Sequence, residues 1–431
     1  MALTIRGRVV RLFSAAIVDQ VILSGANLLV ALLLVRYTSD RDYALYVLLQ
    51  SALVLVVTLH GAIVCGPLAI LAPRKEPESR RQMLGAIRAS QNRLLWPLFL
   101  IALLAPALGY LSGLMSTTLA LVCAIGIIAA WTAVQRNYAR NVLLIHSRLR
   151  ALVVADSVYV GVLLVGVLWA AFGVGAPIIW VALALGAAAW IGSLSAHPVL
   201  TRDVGRVNAD ARPMWREMRA LGFWYVIAVS IFWLYSRSYN YILASRLSLT
   251  AVADVNAVRL MVVPALLITT GLQGVLTPAA SAWLVEIGFD RLVRRLLVLA
   301  LLVVLCSIAY LSFIWVIRDW VSVRLLHKRI ANRDFLLLLW AGIAVISAVR
   351  DVLGPALNAL GRLKWLAWQS GFCAVLSIMT MWFGIPIWGD AGVLIGLIVG
   401  EALNLAGIFY LIRKEQRRFR LCGNASCVGS E

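Results

Sequence analysis

Three arginines stand inside otherwise apolar stretches of this 431-residue chain: Arg237, Arg259 and Arg350. An ionised side chain in such a place costs about 3 kcal/mol on insertion scales, so it should face a cavity or a partner. A guanidinium carries forked donors that match the oxygens of a phosphate. Arg237 and Arg259 fall toward the near ends of two runs joined by a short turn, which predicts similar depth. They either hold an anion in a cavity or reach out to the headgroups. Arg350 precedes Asp351 and is either a further anion contact or one half of an ion pair near a helix end. Gln20 and Asn27, seven positions apart, share one face of a helix that also carries Asp19. That stripe either meets a polar substrate or bonds a neighbouring helix. Asp19 and Asp351 are candidates for a cation or proton site. Gln50, Asp254, Asn256, Gln273 and Asn358 are polar positions of the same kind. Tyr235, Tyr239 and Tyr241 surround Arg237 in YSRSYNY, as stacking faces or as membrane-interface anchors.

Other chemistries lack their residues. No Gly-Lys dipeptide occurs, so there is no Walker A loop to bind ATP, and neither G-x-S-x-G nor HExxH is present. The histidines, His60, His146, His197 and His327, are scattered without zinc spacing. Four of the six cysteines lie in apolar runs, where a thiol acts as a small hydrophobe; Cys422 and Cys427 lie in a tail expected to stay reduced.

The elements that position these residues follow from composition. The chain is 62% apolar and 13% charged. No soluble core hides that much apolar surface, so lipid must cover much of it. Inside lipid, only helices or a closed barrel satisfy the backbone. The apolar runs are continuous and about 20 residues long, the length of a spanning helix. Spans are expected near 12–36, 44–72, 94–114, 117–136, 151–172, 177–200, 220–243, 254–283, 293–317, 334–357, 364–385 and 390–412. The cut between the third and fourth, at Ser112–Thr118, is the least marked. The first run follows Arg6, Arg8 and Arg11 but is too long for a signal core and has no small-residue cleavage site, so it is a span.

The net charge of +20 arises from 39 Lys and Arg against 19 Asp and Glu. With both ends inside, 28 basic residues fall on the cytoplasmic side and eight outside, with three inside spans. That bias is a topology signal and a match for anionic headgroups rather than for nucleic acid. Residues 318–333 resist it: five of the eight outer charges lie there, and an amphipathic segment on the outer face is expected. No connection exceeds about 20 residues, which leaves no room for a soluble catalytic domain.

Two stretches recur about 210 residues apart. LLLVRYTSDRDYALYVLL, Leu32 to Leu49, resembles YILASRLSLTAVADVNAVRL, Tyr241 to Leu260, with Arg36 on Arg246. At an offset of 214, Arg136 falls on Arg350, Arg148 on Arg362 and Arg150 on Lys364. Six spans per half make the halves parallel repeats. The expected organisation is a lobe over 1–205, a second over 206–415 and a cytoplasmic tail over 416–431. The fold class is all-α integral membrane, about twelve helices in two parallel six-helix lobes around a central cavity.

Three motifs carry a resemblance over nearly the whole chain. They are SGANLLVALLLVRYTSDRDYALYVLL (Ser24 to Leu49), NALGRLKW (Asn358 to Trp365) and GDAGVLIGLIVGEALNLAGIFYLIRK (Gly389 to Lys414). The chain resembles the polysaccharide and oligosaccharide flippases of the multidrug/oligosaccharidyl-lipid/polysaccharide (MOP) exporter superfamily, with a MATE-like helix arrangement. Ala44 and Leu45 precede Tyr46 where that family commonly has glycine. The resemblance implies a polyprenyl-pyrophosphate-linked oligosaccharide flipped by alternating access across a bacterial inner membrane, for surface polysaccharide synthesis. It implies a non-enzymatic transporter without cofactor, coupled to H+ or Na+ if to any ion. Its partners would be the lipid-linked glycan, membrane lipids and polysaccharide polymerase or export proteins. Arg237, Arg259 and Arg350 would then meet the pyrophosphate, and Gln20, Asn27, Gln50 and Asn256 the sugars. A cation-coupled drug exporter of the same superfamily is the alternative, though the interior charge leans basic. A membrane glycan polymerase or glycosyltransferase would need outer catalytic acids, and 318–333 holds only Asp319.

Overall fold

The computed structural model describes residues 2–173, 175–204 and 211–422, apart from the side chains of 2–19, 220, 221, 224, 270, 271, 273–275, 277, 278, 363, 364 and 420–422. Asp19 and Gln273 therefore lie outside the described side chains, as do Lys364, Cys422 and Cys427. The described residues are helical with short turns and no strand. In order they form α1 (Ala2–Tyr37), α2 (Asp40–His60), α3 (Gly66–Leu71), α4 (Pro77–Leu111), α5 (Thr117–Ile145), α6 (Leu149–Phe172), α7 (Pro177–Asp203), α8 (Arg212–Arg246), α9 (Leu249–Ile287), α10 (Phe289–Trp320), α11 (Arg333–Ala359), α12 (Leu363–Trp388) and α13 (Ala391–Cys422). A π-helical turn, Gly61–Cys65, joins α2 to α3, so the two make one rod.

Local chemistry fixes the ends. Ser39, Ser116 and Ser248 cap α2, α5 and α9 by accepting from the backbone N–H three residues on. Pro77 and Pro177 open α4 and α7, where a missing N–H costs nothing. Gly113, at φ +73°, turns the chain between α4 and α5, the junction that is least marked in the sequence.

Eleven helical segments of the described residues are long and apolar enough to cross a membrane. The expected twelve correspond to these and to α8, a helix of 35 residues. Its described apolar run is cut by positions 220, 221 and 224 and carries Ser236, Arg237, Ser238 and Asn240. The protein is a multi-pass, all-α membrane protein.

Two compact units divide the chain, Met1–Ser230 and Ile231–Glu431. The expected lobe boundary at 205/206 precedes α8, whereas the division falls within it, because Met214, Trp215 and Met218 pack into the first unit's core. Each unit repeats one packing scheme. In the first, α5 packs on α2, α4 and α7, and α6 lies on α7. In the second, α11 packs on α9, α10 and α13, and α12 lies on α13. These contacts are common to the two repeated halves. Leu84, Tyr138, Val142 and Leu152 centre the first core; Leu292, Leu296, Leu353 and Ala356 centre the second. Outward-facing Leu98, Leu104 and Leu108 on α4 and Leu301 and Leu305 on α10 are exposed, as a lipid-facing surface requires.

Gly392, Gly396 and Gly400 form the contact of α13 with α12. A Cβ at Gly396 would come within 2.7 Å of the Met381 backbone nitrogen, and one at Gly392 within 2.5 Å of the Gly384 carbonyl. Close backbone approach of this kind is how spanning helices associate. The Ser377 hydroxyl donates across the same contact to the Gly396 carbonyl at 2.8 Å.

Residues 318–333 depart from the expected amphipathic segment. Val321–Leu326 continues α10 as a π-helical turn and ends at His327 in the left-handed region, φ 53°. Three of the five basic residues form ion pairs. Arg318 meets Asp334, Arg333 meets Asp319 and Asp334, and Lys328 meets Asp254 on α9 at 3.0 Å.

Candidate functional site

The second unit brings two of the three span arginines to one level. On α8 and α9, the Tyr239 hydroxyl donates to Asn256 Oδ1 at 2.9 Å, and Asn256 Nδ2 donates to Asn240 Oδ1 at 2.7 Å and to the Val252 carbonyl at 2.9 Å. These bonds fix the register of two antiparallel helices. One turn further from the Leu247–Ser248 turn, the same register puts Arg237 level with Arg259. Arg259 lies ten residues into α9, about 15 Å along its axis from the start of that helix. The register agrees with the similar depth that the short turn implies.

Arg259 is half-buried and sits 5.5 Å over the Trp340 ring; Trp340 donates to the Val255 carbonyl and packs edge-on to Tyr239. Its Nε is buried and has no hydrogen-bond acceptor. A buried guanidinium donor left unpaired is costly, so such a group needs an anion or water to meet it. Arg237 is half-buried, and the neighbouring Ser236 and Ser238 hydroxyls are buried without a hydrogen-bond partner. Asn256 is 4% exposed with both ends of its amide engaged, so it ties α8 to α9.

Arg350 is placed elsewhere, in a closed ionic cluster. It donates to both Glu401 oxygens on α13, at 2.7 and 2.6 Å, and to Asp351 at 2.9 and 2.7 Å. Tyr235 lies beside Glu401 and Arg350. Glu401 is the acid whose partner is not identifiable from sequence. Asp351 is correspondingly occupied. The first unit has a counterpart on its own central helix: Arg136 and Arg140 both donate to Asp156, at 2.5 and 2.8 Å, and Asp156 is fully buried. The repeat keeps the arginine, 136 and 350, but takes the acid from α6 in one unit and α13 in the other.

The α1 stripe is not drawn into either cluster. Gln20 and Asn27 are exposed; Gln20 donates to Ser24 at 3.2 Å, and Asn27 makes no side-chain hydrogen bond among the described residues. Gln50 is half-buried on α2.

A further polar cluster has no sequence signal beyond one histidine in an apolar run. His60 closes α2 at the π turn. Its Nε2 is 3.1 Å from Gln91 Oε1, and its Nδ1 is 3.1 Å from Asn137 Nδ2 and 3.7 Å from Cys65 Sγ. Gln91 Nε2 is buried without a partner. The three residues come from α2, α4 and α5, too far apart in sequence for any spacing rule.

No family model matches the sequence, and no curated protein matches it. Solved structures do. An inward-facing multidrug resistance MATE family transporter of the MOP superfamily superposes with a TM-score of 0.77 at 13% identity, covering 94% of this chain and 96% of that one. The lipid II flippase MurJ, in an inward closed conformation, gives 0.72 at 8% identity over 93% and 87%. The eukaryotic MATE transporter AtDTX14 gives 0.67 at 12% over 96% and 98%. Such identities carry the fold: this chain has the all-α membrane fold of those transporters.

Proposed function

We propose that this chain is a transporter that flips a polyprenyl-pyrophosphate-linked oligosaccharide from the inner to the outer leaflet of a bacterial inner membrane, by alternating access, to supply surface polysaccharide synthesis. The observation that carries the reading is Arg259, with a buried Nε lacking an acceptor, in a register that sets it level with Arg237. A pyrophosphate moving across lipid needs fixed positive charge along its path, and forked donors suit its oxygens. A fold likeness to a protein titled a lipid II flippase is consistent with this reading.

The same fold likeness to a multidrug MATE transporter keeps a cation-coupled drug exporter as the second reading. Exporting cations would call for acids free to bind them. Asp156 and Glu401, buried in spans, are instead held by arginines. The basic reading is preferred on that ground.

Vesicles carrying the protein and labelled lipid-linked glycan test it. Wild type exposes the label to an external glycosidase; Arg259→Ala at equal protein level removes that exposure, and Arg259→Lys keeps part of it. Full exposure with the alanine variant excludes Arg259 from the mechanism. A label whose glycan is altered without crossing makes the protein an enzyme.

A further inference from the structure

Each unit contains the same basic pocket. In the first it has a volume of about 420 Å³ and is lined by residues that include Arg148, Arg150, Val199 and Arg202. In the second it has a volume of about 310 Å³ and is lined by residues that include Arg362, Trp365, Lys414 and Arg418. The two are built alike. Helix α5 ends with Ser147 at φ 55° and α11 with Gly361 at φ 71°. The Arg148 N–H then donates to the Leu143 carbonyl, and the Arg362 N–H to that of Leu357, the bond across five residues that closes a Schellman turn. Each turn thereby aims an arginine at the end of the last helix of its unit. There a nearly buried carboxylate takes it: Asp203 accepts from Arg148 at 3.3 Å through two nitrogens, and Glu415 meets Arg362 at 3.0 Å. The residue before each acid, Arg202 or Lys414, lines the pocket.

Counting each pocket's lining cations against its single acid leaves an excess of two positive charges in both. A topology signal needs arginines near a membrane face, but not a cavity, an identical turn or a buried acid that orients one guanidinium. Those features describe a site that receives an anion. Its surroundings say which one. The helices that form the pockets go straight on into exposed apolar surface: Val154 on α6 is 58% exposed, and Trp365 and Trp368 on α12 are 57% and 69% exposed. Lys414 Nζ lies 5.4 Å over the Trp365 ring, so cation and interface aromatic share one wall. Both turns are among the connections that the charge bias assigns to the cytoplasmic side. A bound anion therefore has charge above it and hydrocarbon below it. We propose that the two pockets are paired binding sites for the phosphate headgroup of anionic membrane phospholipids, one per unit, independent of any transported substrate.

Native mass spectrometry of the detergent-solubilised full chain, supplied with equal phosphatidylglycerol and phosphatidylcholine, tests this. Wild type should retain two more phosphatidylglycerol than phosphatidylcholine molecules. Arg150→Gln with Arg202→Gln should lose one, Lys414→Gln with Arg418→Gln the other, and the four-site variant both. Arg81→Gln, an exposed arginine away from both pockets, should lose neither. Equal retention by wild type and the four-site variant, or equal loss with Arg81→Gln, overturns the proposal. Displacement of the lipids by millimolar inorganic phosphate overturns it too, because the site would then serve a free anion. The four substituted side chains point to solvent or pocket, and circular dichroism with size-exclusion profiles confirms that a variant scored for lipid is folded.

Discussion

Arg350 and Arg259 are chemically identical and have opposite surroundings. Arg350 spends its donors on Glu401 and Asp351, with only 15% of its side chain exposed. Arg259 has a ring beneath it and a buried nitrogen with no acceptor. One guanidinium is therefore part of the scaffold, and the other keeps a buried Nε without an acceptor. Removing one partner of a buried pair strands the other, at a cost of about 3–5 kcal/mol, whereas replacing both by apolar groups is often neutral. Arg350→Met should accordingly lower the thermal unfolding midpoint of the purified protein clearly, and Arg350→Met with Glu401→Met should recover part of the loss, with Asp351 still left without its arginine. Should the double variant melt no higher than the single one, charge pairing is not what Arg350 supplies. The sequence offers Asp351 as a partner for Arg350 but not Glu401, which is 51 positions away and on a helix that the repeat does not point to. The Arg136 counterpart draws its acid from only 20 positions away.

At the scale of elements, glycine decides how close two helices come. The spans are legible because crossing lipid takes about 20 apolar residues, but α2, α4 and α9 start ahead of the expected spans, at Asp40, Pro77 and Leu249, where Ser39, Pro77 and Ser248 mark the ends. The every-fourth glycines of α13 likewise predict a packed face, and α12 lies against it. The π turn at Val321–Leu326 has no such signal, since one extra residue in a helical turn leaves the apolar pattern intact, and at Gly61–Cys65 the sequence offers only Gly61 with Pro67 nearby, as marks of a bend. The Gly61–Cys65 turn places His60 against Gln91 and Asn137, so the polar cluster there depends on a feature the apolar pattern does not display. Gly396→Leu should push α12 from α13, because its Cβ alone would lie 2.7 Å from backbone. Overpacking costs about 1–3 kcal/mol or more, so a lower melting temperature and poorer recovery from membranes are expected. Gly161 on α6 has nothing within 4 Å of the same atom, and Gly161→Leu should melt like wild type or slightly above it. Equal behaviour of the two variants would mean that the α12–α13 contact is not close-packed.

For the whole molecule, the orientation expected from the sequence accounts for the excess of positive charge. The charge of +20 would suggest nucleic acid in a soluble protein, but here the apolar runs sort it by side. The exception, 318–333, is intelligible once its partners are known. Asp319, Asp334 and Asp254 hold Arg318, Arg333 and Lys328, and a cation already paired on its own side of the membrane has less need of anionic lipid. With both ends inside, as the charge bias implies, that segment would lie outside without opposing the bias from the rest of the chain. Single cysteines on a cysteine-free background make the orientation measurable. Arg81→Cys in α4 and Arg329→Cys beyond the π turn both replace exposed side chains. In intact spheroplasts a membrane-impermeant maleimide should label position 329 at once and position 81 only after the membrane is opened. Labelling of 81 and not 329 would reverse the chain in the membrane and move both basic pockets to the outer face. Labelling of both in sealed cells would break the span count between them, which rests on α4 through α10 each crossing once.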